Sequence, residues 1–253
     1  MNLVFTYMKI VFYLLFISFI CGIGCLDFVK IESSDPNISD FFVMETAITQ
    51  ELYLQVMGEN PSFHVGERLP VENISWYEAI VFCNLLSRAH HLTPVYTLAG
   101  DSNALNWGAI PQNRRTVWDG LKVDPTADGY RLLSLKEWNY LFTKITSDSS
   151  YVLTDFAWVK SNSEGRTHPV GEKAVDSLGL YDFLGNVREW NFDDKSLLFS
   201  SHLGDDPSSP YYLPDILAFG TLVRAIIQHI PDKNGLYNVT KSPLVGLRIA
   251  RDI

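Results

Sequence analysis

Twelve consecutive residues, Gly179-Leu-Tyr-Asp-Phe-Leu-Gly-Asn-Val-Arg-Glu-Trp190, hold the side chains in this sequence best suited to gripping a metal ion. Asp182, Asn186 and Glu189 supply oxygens. Leu180, Tyr181, Phe183, Leu184 and Trp190 supply apolar mass, and Gly179 and Gly185 permit backbone with positive φ. That mixture suits neither a plain helix nor a plain strand. It suits a turn, and a turn that exposes backbone carbonyls beside carboxylates can bind a hard cation such as Ca2+. The same residues also suit a tight core turn whose acidic groups cap neighbouring amides.

Other chemistry has fewer candidates. The chain has three cysteines, Cys21, Cys25 and Cys83. The first two adjoin an apolar leader, so Cys83 stands alone in the folded part and an internal disulfide is not expected there. Cys83 falls in a helical pattern, Trp76 to Leu86, that buries Ile80, Cys83, Leu86 and Ser87. A cysteine so placed acts as a small hydrophobe rather than a nucleophile. The six histidines are His64, His90, His91, His168, His202 and His229. His90 and His91 are adjacent, point to different faces of a helix and cannot chelate one metal together. Asp193-Asp194 and Asp205-Asp206 lie in loop-like stretches and read as solvated surface rather than a catalytic dyad.

Short helices and strands must position these groups. Thr49 is an N-cap for a helix to Met57. Ser75 with Glu78, and Ser134 with Glu137, have capping-box spacing, and predict helices from Trp76 to near His90-His91 and from Leu135 to about Lys144. Strands are expected at Phe41–Glu45, Val95–Leu98, Val117–Trp118, Leu217–Ala225 and Leu244–Ala250. The remainder is rich in Gly, Pro, Asn and Asp and reads as loop. With aromatics at 13% and six tryptophans, large side chains must hold much irregular backbone together.

The 253 residues, 47% hydrophobic and 19% charged, suffice for one large domain or two small ones. The 29 acidic residues outnumber the 20 basic ones, for a net charge of −9. With no basic patch, a nucleic-acid partner is excluded. The apolar run Ile10 to Ile20, preceded by Lys9, is short for a membrane span and fits the core of a secretory signal. Gly22-Ile-Gly-Cys25 is similar to a bacterial lipoprotein cleavage site, with Cys25 as the acylated first residue. The expected organisation is a signal peptide over 1–24, a tether over 25–40 containing Asp35-Pro36, and a folded domain over 41–253. The expected location is the bacterial periplasm or outer surface, with membrane attachment through the lipid anchor.

Five segments, taken in order, resemble the sulfatase-modifying-factor, or formylglycine-generating-enzyme, domain family. They are Pro70-Val-Glu-Asn-Ile-Ser-Trp76 with Cys83-Asn84, Gly129-Tyr-Arg-Leu132 with Glu137-Trp138, Thr167-His-Pro-Val-Gly171, Gly179 to Trp190, and Val245-Gly-Leu-Arg-Ile-Ala-Arg251. The resemblance implies an α+β fold related to C-type lectins, with few regular elements, small mixed or antiparallel sheets, short helices and long loops. Trp76 and Trp138, at helix starts, would plug the core. Arg131, set among apolar residues, would make a buried or half-buried salt bridge.

The resemblance also implies a calcium site. Transferred by position, its ligands are the Asp182 side chain, the Gly185 and Val187 carbonyls and the Glu189 side chain, in a turn framed by Asn186 and Trp190. The family's enzymes oxidise a substrate cysteine with a pair of cysteines in the C-terminal third and copper. This chain has no cysteine after Cys83, so that activity and its copper are expected to be absent. Where the family has Arg-Gly-Gly-Ser-Trp, the chain reads Phe219-Gly-Thr-Leu-Val223. The expectation is a non-catalytic, calcium-stabilised binding or structural domain. Tyr211, Tyr212, Phe219, His229 and Tyr237 lie where the family builds its groove, and the ligand would be protein or glycan. The alternatives are an enzyme of different chemistry using that groove, or a regulatory paralogue of an active family member.

Overall fold

The computed structural model describes residues 23–112, 117–192, 197–198 and 241–253. Thr49, Ser75 and Ser134 each sit in extended backbone and accept the N–H of the residue three positions on. At Ser75 and Ser134 the glutamate returns a bond to the cap's own N–H, which completes both capping boxes. The helices that follow are α1 (Gln50–Met57), α2 (Trp76–Ala89) and α3 (Leu135–Thr146), with a single further turn, α4 (Leu153–Phe156). Helix α1 stops at Gly58, whose φ of 78° lets its N–H reach back to the Leu54 carbonyl. Helix α2 is buried from Trp76 through Ser87, so it is the central helix of the core. Cys83 has no exposed surface there, and burial pushes its thiol pKa well up.

The strands are short: β1 (Phe28–Ile31), β2 (Phe41–Met44), β3 (Tyr96–Thr97), β4 (Lys122–Val123), β5 (Tyr130–Leu132), β6 (Arg188–Trp190), β7 (Leu197–Leu198), β8 (Val245–Gly246) and β9 (Ile249–Asp252). One four-stranded antiparallel sheet runs β1-β2-β9-β5. Strands β3 and β4 form a separate antiparallel pair. In a third sheet β6 pairs antiparallel with β7 and parallel with β8.

Successive strand residues face opposite sides of a sheet, and the core divides accordingly. Met44 and Ile249 join the cluster around α2, with Trp76, Ile80, Phe82 and Cys83. Their neighbours Val43 and Ala250 join the cluster around α3, with Trp138, Leu141, Phe142 and Ile145. Thus α2 and α3 occupy opposite faces of the four-stranded sheet, an α+β arrangement of short elements and long loops.

Three sequence expectations need correction. The stretch 25–40 is not a free tether: β1 lies within it, pairs with β2 along its length, and sends Ile31 into the core along with Ile38. Val117–Trp118 is not a strand but part of a 3-10 turn, Val117–Gly120, because Trp118 is drawn inward to meet Tyr77 and Trp107 edge-on. The terminal strand is split into β8 and β9 at Leu247-Arg248. The strand expected at 217–225 lies outside the described residues.

Candidate functional site

The turn from Gly179 to Trp190 owes its shape to four residues. Gly179 has a φ of 88°, but the next left-handed positions are Asp182 at 51° and Asn186 at 63°, not Gly185. Asp and Asn tolerate that region better than other side chains. Gly185 is required for a different reason: a Cβ there would lie 2.4 Å from the Trp158 carbonyl oxygen and 2.9 Å from the Ala157 Cβ.

Asn186 fastens the turn to the Thr167–Gly171 segment. Its backbone N–H donates to the Trp158 carbonyl at 2.7 Å. Its side-chain oxygen accepts from the His168 N–H at 3.0 Å, and its amide donates to the His168 carbonyl at 2.8 Å. The His168 ring stacks on Trp158 with centroids 3.8 Å apart and its Nε2 meets the Ser163 carbonyl at 2.8 Å. Lys173 Nζ lies over the Trp158 ring, 4.1 Å from its centroid. His168 is therefore a structural clasp.

Asp182 and Glu189, the two carboxylates expected to ligate calcium, are both buried. Each uses one oxygen. Asp182 Oδ2 accepts from the Gly171 N–H at 3.3 Å, and Glu189 Oε1 accepts from Arg248 Nε at 2.9 Å. Asp182 Oδ1 and Glu189 Oε2 are buried and have no hydrogen-bond partner among the described residues. Burial pushes both carboxyl pKa values up, that of Asp182 to about 6, against a downward pull from Arg248 on each. The Gly185 carbonyl accepts from the Val187 N–H at 2.8 Å, and Val187 is itself buried. Carboxylate and carbonyl oxygens are the donor type a hard cation takes, and here one of the two carboxylates, Glu189, faces the Arg248 guanidinium. Among the described residues no group of three or more His, Cys, Asp or Glu side chains gathers as a metal cluster, so any such ion would depend on carbonyl ligands.

Arg248 is the residue that sequence reasoning missed. It has no exposed surface. Besides Glu189, its guanidinium donates to the carbonyls of Met44 at 3.0 Å, Glu45 at 2.6 Å and Tyr181 at 2.8 Å. The fork geometry of arginine lets one side chain reach all four acceptors. It ties the end of β2 to the turn and to β6, and its positive charge offsets part of the buried carboxylate charge. An arginine inside the apolar run Val245 to Ala250 was the available signal for a buried ion pair.

The remaining candidates are structural. The Trp76 indole donates to the Asn191 carbonyl at 2.7 Å, and the Trp190 indole donates to the Ile74 carbonyl at 3.0 Å. These reciprocal bonds lock the start of α2 to the end of β6. Trp138 stacks on Phe142 and Phe183, which brings α3 against the turn. Arg131 grips Glu137 through both terminal nitrogens, at 2.9 and 2.7 Å, and also pairs with Asp252. Cys25 is exposed and unpaired. The aromatic and histidine residues expected to line a groove, Tyr211, Tyr212, Phe219, His229 and Tyr237, lie outside the described residues, as does the 219–223 segment.

Comparison with known proteins agrees with this architecture. Residues 30–253 match the family model of the sulfatase-modifying factor enzyme 1-like domain. Chaperone protein LppX of Paenibacillus barcinonensis is 32% identical over 192 residues, which span 66% of this chain and 68% of that protein. Among solved structures, Treponema denticola variable protein 1 is similar with a TM-score of 0.67 and 26% identity, over 91% of this chain and 94% of that one. CarF shares the fold, with a TM-score of 0.54 and 22% identity over 91% of this chain and 94% of its own.

Proposed function

Since the chain belongs to the sulfatase-modifying factor enzyme 1-like domain family, we propose that it is an exported, non-catalytic member. In this reading it is a binding or structural domain, stabilised by calcium at the Asp182–Glu189 turn and held at a bacterial envelope by a lipid on Cys25. One observation carries the non-catalytic part. No cysteine follows Cys83 in the sequence, and Cys83 is sealed inside α2. The oxidation that the family resemblance implies needs a pair of thiolates, the soft ligands that Cu(I) prefers. A single buried thiol whose pKa is raised by burial cannot supply them.

Calcium is supported by the two bare carboxylate oxygens. When bound, the ion would cross-link the turn electrostatically; Asp182 and Glu189 would hold it from their side chains, and Gly185 and Val187 from their carbonyls. A binding role is supported by the relative described as a chaperone protein. The short path from Cys25 to β1 suits an anchor close to the domain. No described helix is long and apolar enough to cross a membrane.

The test of the non-catalytic reading is incubation of the purified protein with a cysteine-containing sulfatase peptide, with and without copper, followed by mass spectrometry. The expected result is unchanged peptide in both. Formation of formylglycine overturns the reading. The anchor is tested by palmitate labelling, which is expected in the wild type and lost in Cys25→Ser; label that survives the substitution removes the lipoprotein assignment.

A further inference from the structure

The loop between α1 and α2 is held rigid from below while its apolar tip faces water. Gln50, buried, uses its whole amide on this loop. Its nitrogen donates to the carbonyls of His64 at 2.6 Å and Pro70 at 3.2 Å, and its oxygen accepts from the Asn60 amide at 2.9 Å and the Gly66 N–H at 3.0 Å. Glu72, also buried, accepts the His64 N–H at 2.8 Å. Asn73 donates to the Pro61 carbonyl at 2.9 Å. Above these supports Phe63 is 72% exposed and Val65 is 81% exposed. The His64 ring meets the Phe63 ring edge-on at 5.0 Å.

Burying an amide and a carboxylate is costly, and the core gains nothing from a Phe and a Val left in water. Such an arrangement does lower the ordering cost of binding, because the contact residues are already in place. The surroundings indicate what would bind. Glu51, Glu59 and Glu67 are all exposed, and the Glu51 N–H donates to the Glu67 carbonyl at 3.1 Å, which sets the first turn of α1 beside the loop. Leu54, one turn further along α1, is 45% exposed. Arg68 is the only Lys or Arg between residues 50 and 75.

We propose that this tip is a preformed docking surface for a basic, aliphatic-rich peptide segment of a protein partner. Aliphatic side chains would sit on Phe63 and Val65, and Lys or Arg side chains would face Glu51, Glu59 and Glu67. The acidic balance of the whole chain would steer such a partner inward. The proposal rests on the binding part of the reading above and requires neither calcium nor the lipid anchor.

The experiment uses the full chain and a short fluorescein-labelled peptide of alternating Lys and Leu, followed by fluorescence anisotropy. Two double variants are compared with the wild type: Phe63→Ser with Val65→Ser, and Glu51→Lys with Glu67→Lys. All four positions are on the surface, and an unchanged melting temperature verifies that folding is intact. Each double variant is expected to weaken binding at least about tenfold, in keeping with the loss of a central anchor. Glu164→Lys, exposed on a different loop, is expected to bind as the wild type does. Equal binding by the double variants overturns the proposal, as does equal binding of a peptide with Glu in place of Lys. Vesicles of phosphatidylcholine and phosphatidylglycerol are expected to bind the Phe63→Ser, Val65→Ser variant as they bind the wild type; vesicle binding that is lost with Phe63 and Val65 would assign the tip to a lipid surface instead. Formylglycine formation would sink the non-catalytic reading while leaving this result standing.

Discussion

Arg248 Nε lies 2.9 Å from Glu189 Oε1, with the two side chains 0% and 2% exposed. This is a charge pair sealed in the core at the junction of β6, the end of β2 and the 179–190 turn. Buried pairs add little net stability over a well-packed apolar pair, but removing one partner strands the other. Glu189→Gln and Arg248→Met are each expected to cost about 3–5 kcal/mol. Together they should cost clearly less than the sum, because the double variant leaves no lone charge of the pair behind. Urea titration of the four proteins in a double-mutant cycle measures this. Additive losses would mean that the two residues stabilise the fold independently. Arg248→Lys is expected to fail as a conservative replacement, since one ammonium cannot reach Glu189 and the three carbonyls of Met44, Glu45 and Tyr181 together.

Gly185 makes a second, sharper demand. A methyl group there would meet the Trp158 carbonyl at 2.4 Å, and that carbonyl is already the acceptor for Asn186. Gly185→Ala should therefore push the turn off the 157–171 segment, at a cost of about 1–3 kcal/mol typical of overpacking. Gly120→Ala, where nothing lies within 4 Å of the added carbon, is expected to cost nothing. A Gly185→Ala protein with the wild-type urea midpoint would show that the contact relaxes freely.

Legibility followed distance along the chain. The caps at Thr49, Ser75 and Ser134 were readable because a cap and its partner lie within one turn, and the structure places all three helix starts there. The family motifs were readable as local words, and the α+β fold came with them. Arg248 was not readable, because its carboxylate partner is 59 residues away and its carbonyl partners are as distant or more so. Strand β1 was hidden for a related reason. Phe28-Val-Lys-Ile31 has strand character, but it follows closely on the apolar N-terminal run, and only pairing with β2 and the stacking of Phe28 on Tyr130 make it part of the sheet. At Val117-Trp118 strand propensity lost to tertiary packing, as Trp118 turned in toward Trp107.

Calcium gives a prediction that stands apart from any activity. Asp182 and Glu189 each keep one buried oxygen without a hydrogen-bond partner among the described residues. An ion that binds only the folded state stabilises it by mass action, about 2.7 kcal/mol at roughly 100 times its Kd. EDTA should lower the melting temperature of the wild type and added CaCl2 should restore it. Asp182→Asn should blunt both effects, since it keeps an oxygen but loses a charge. A melting temperature indifferent to EDTA removes the metal from this turn and leaves Arg248 and Lys173 as the described cations that act on Asp182.

The support under the exposed loop should respond to pH. Burial raises the Glu72 pKa from 4.5 to about 7, against the lowering effect of the N–H groups of His64 and Phe63. A carboxyl whose folded pKa is raised binds its proton more tightly in the folded state. Between pH 4.5 and 7 the folded protein therefore holds more protons than the unfolded chain, and stability from this group falls as pH rises through that window. The penalty is absent below the unfolded value and complete above the folded one. Asp182 and Glu189, also raised, slope the wild-type curve in the same direction, so the difference from a Glu72→Gln variant isolates this residue. The glutamine keeps an oxygen for the His64 N–H and carries no charge. It is expected to match the wild type or fall slightly below it near pH 4.5, and to exceed it near pH 8 by on the order of 1–3 kcal/mol. Urea midpoints at the two pH values check this; a difference that does not change with pH would mean that Glu72 keeps an ordinary carboxylate pKa beneath the loop.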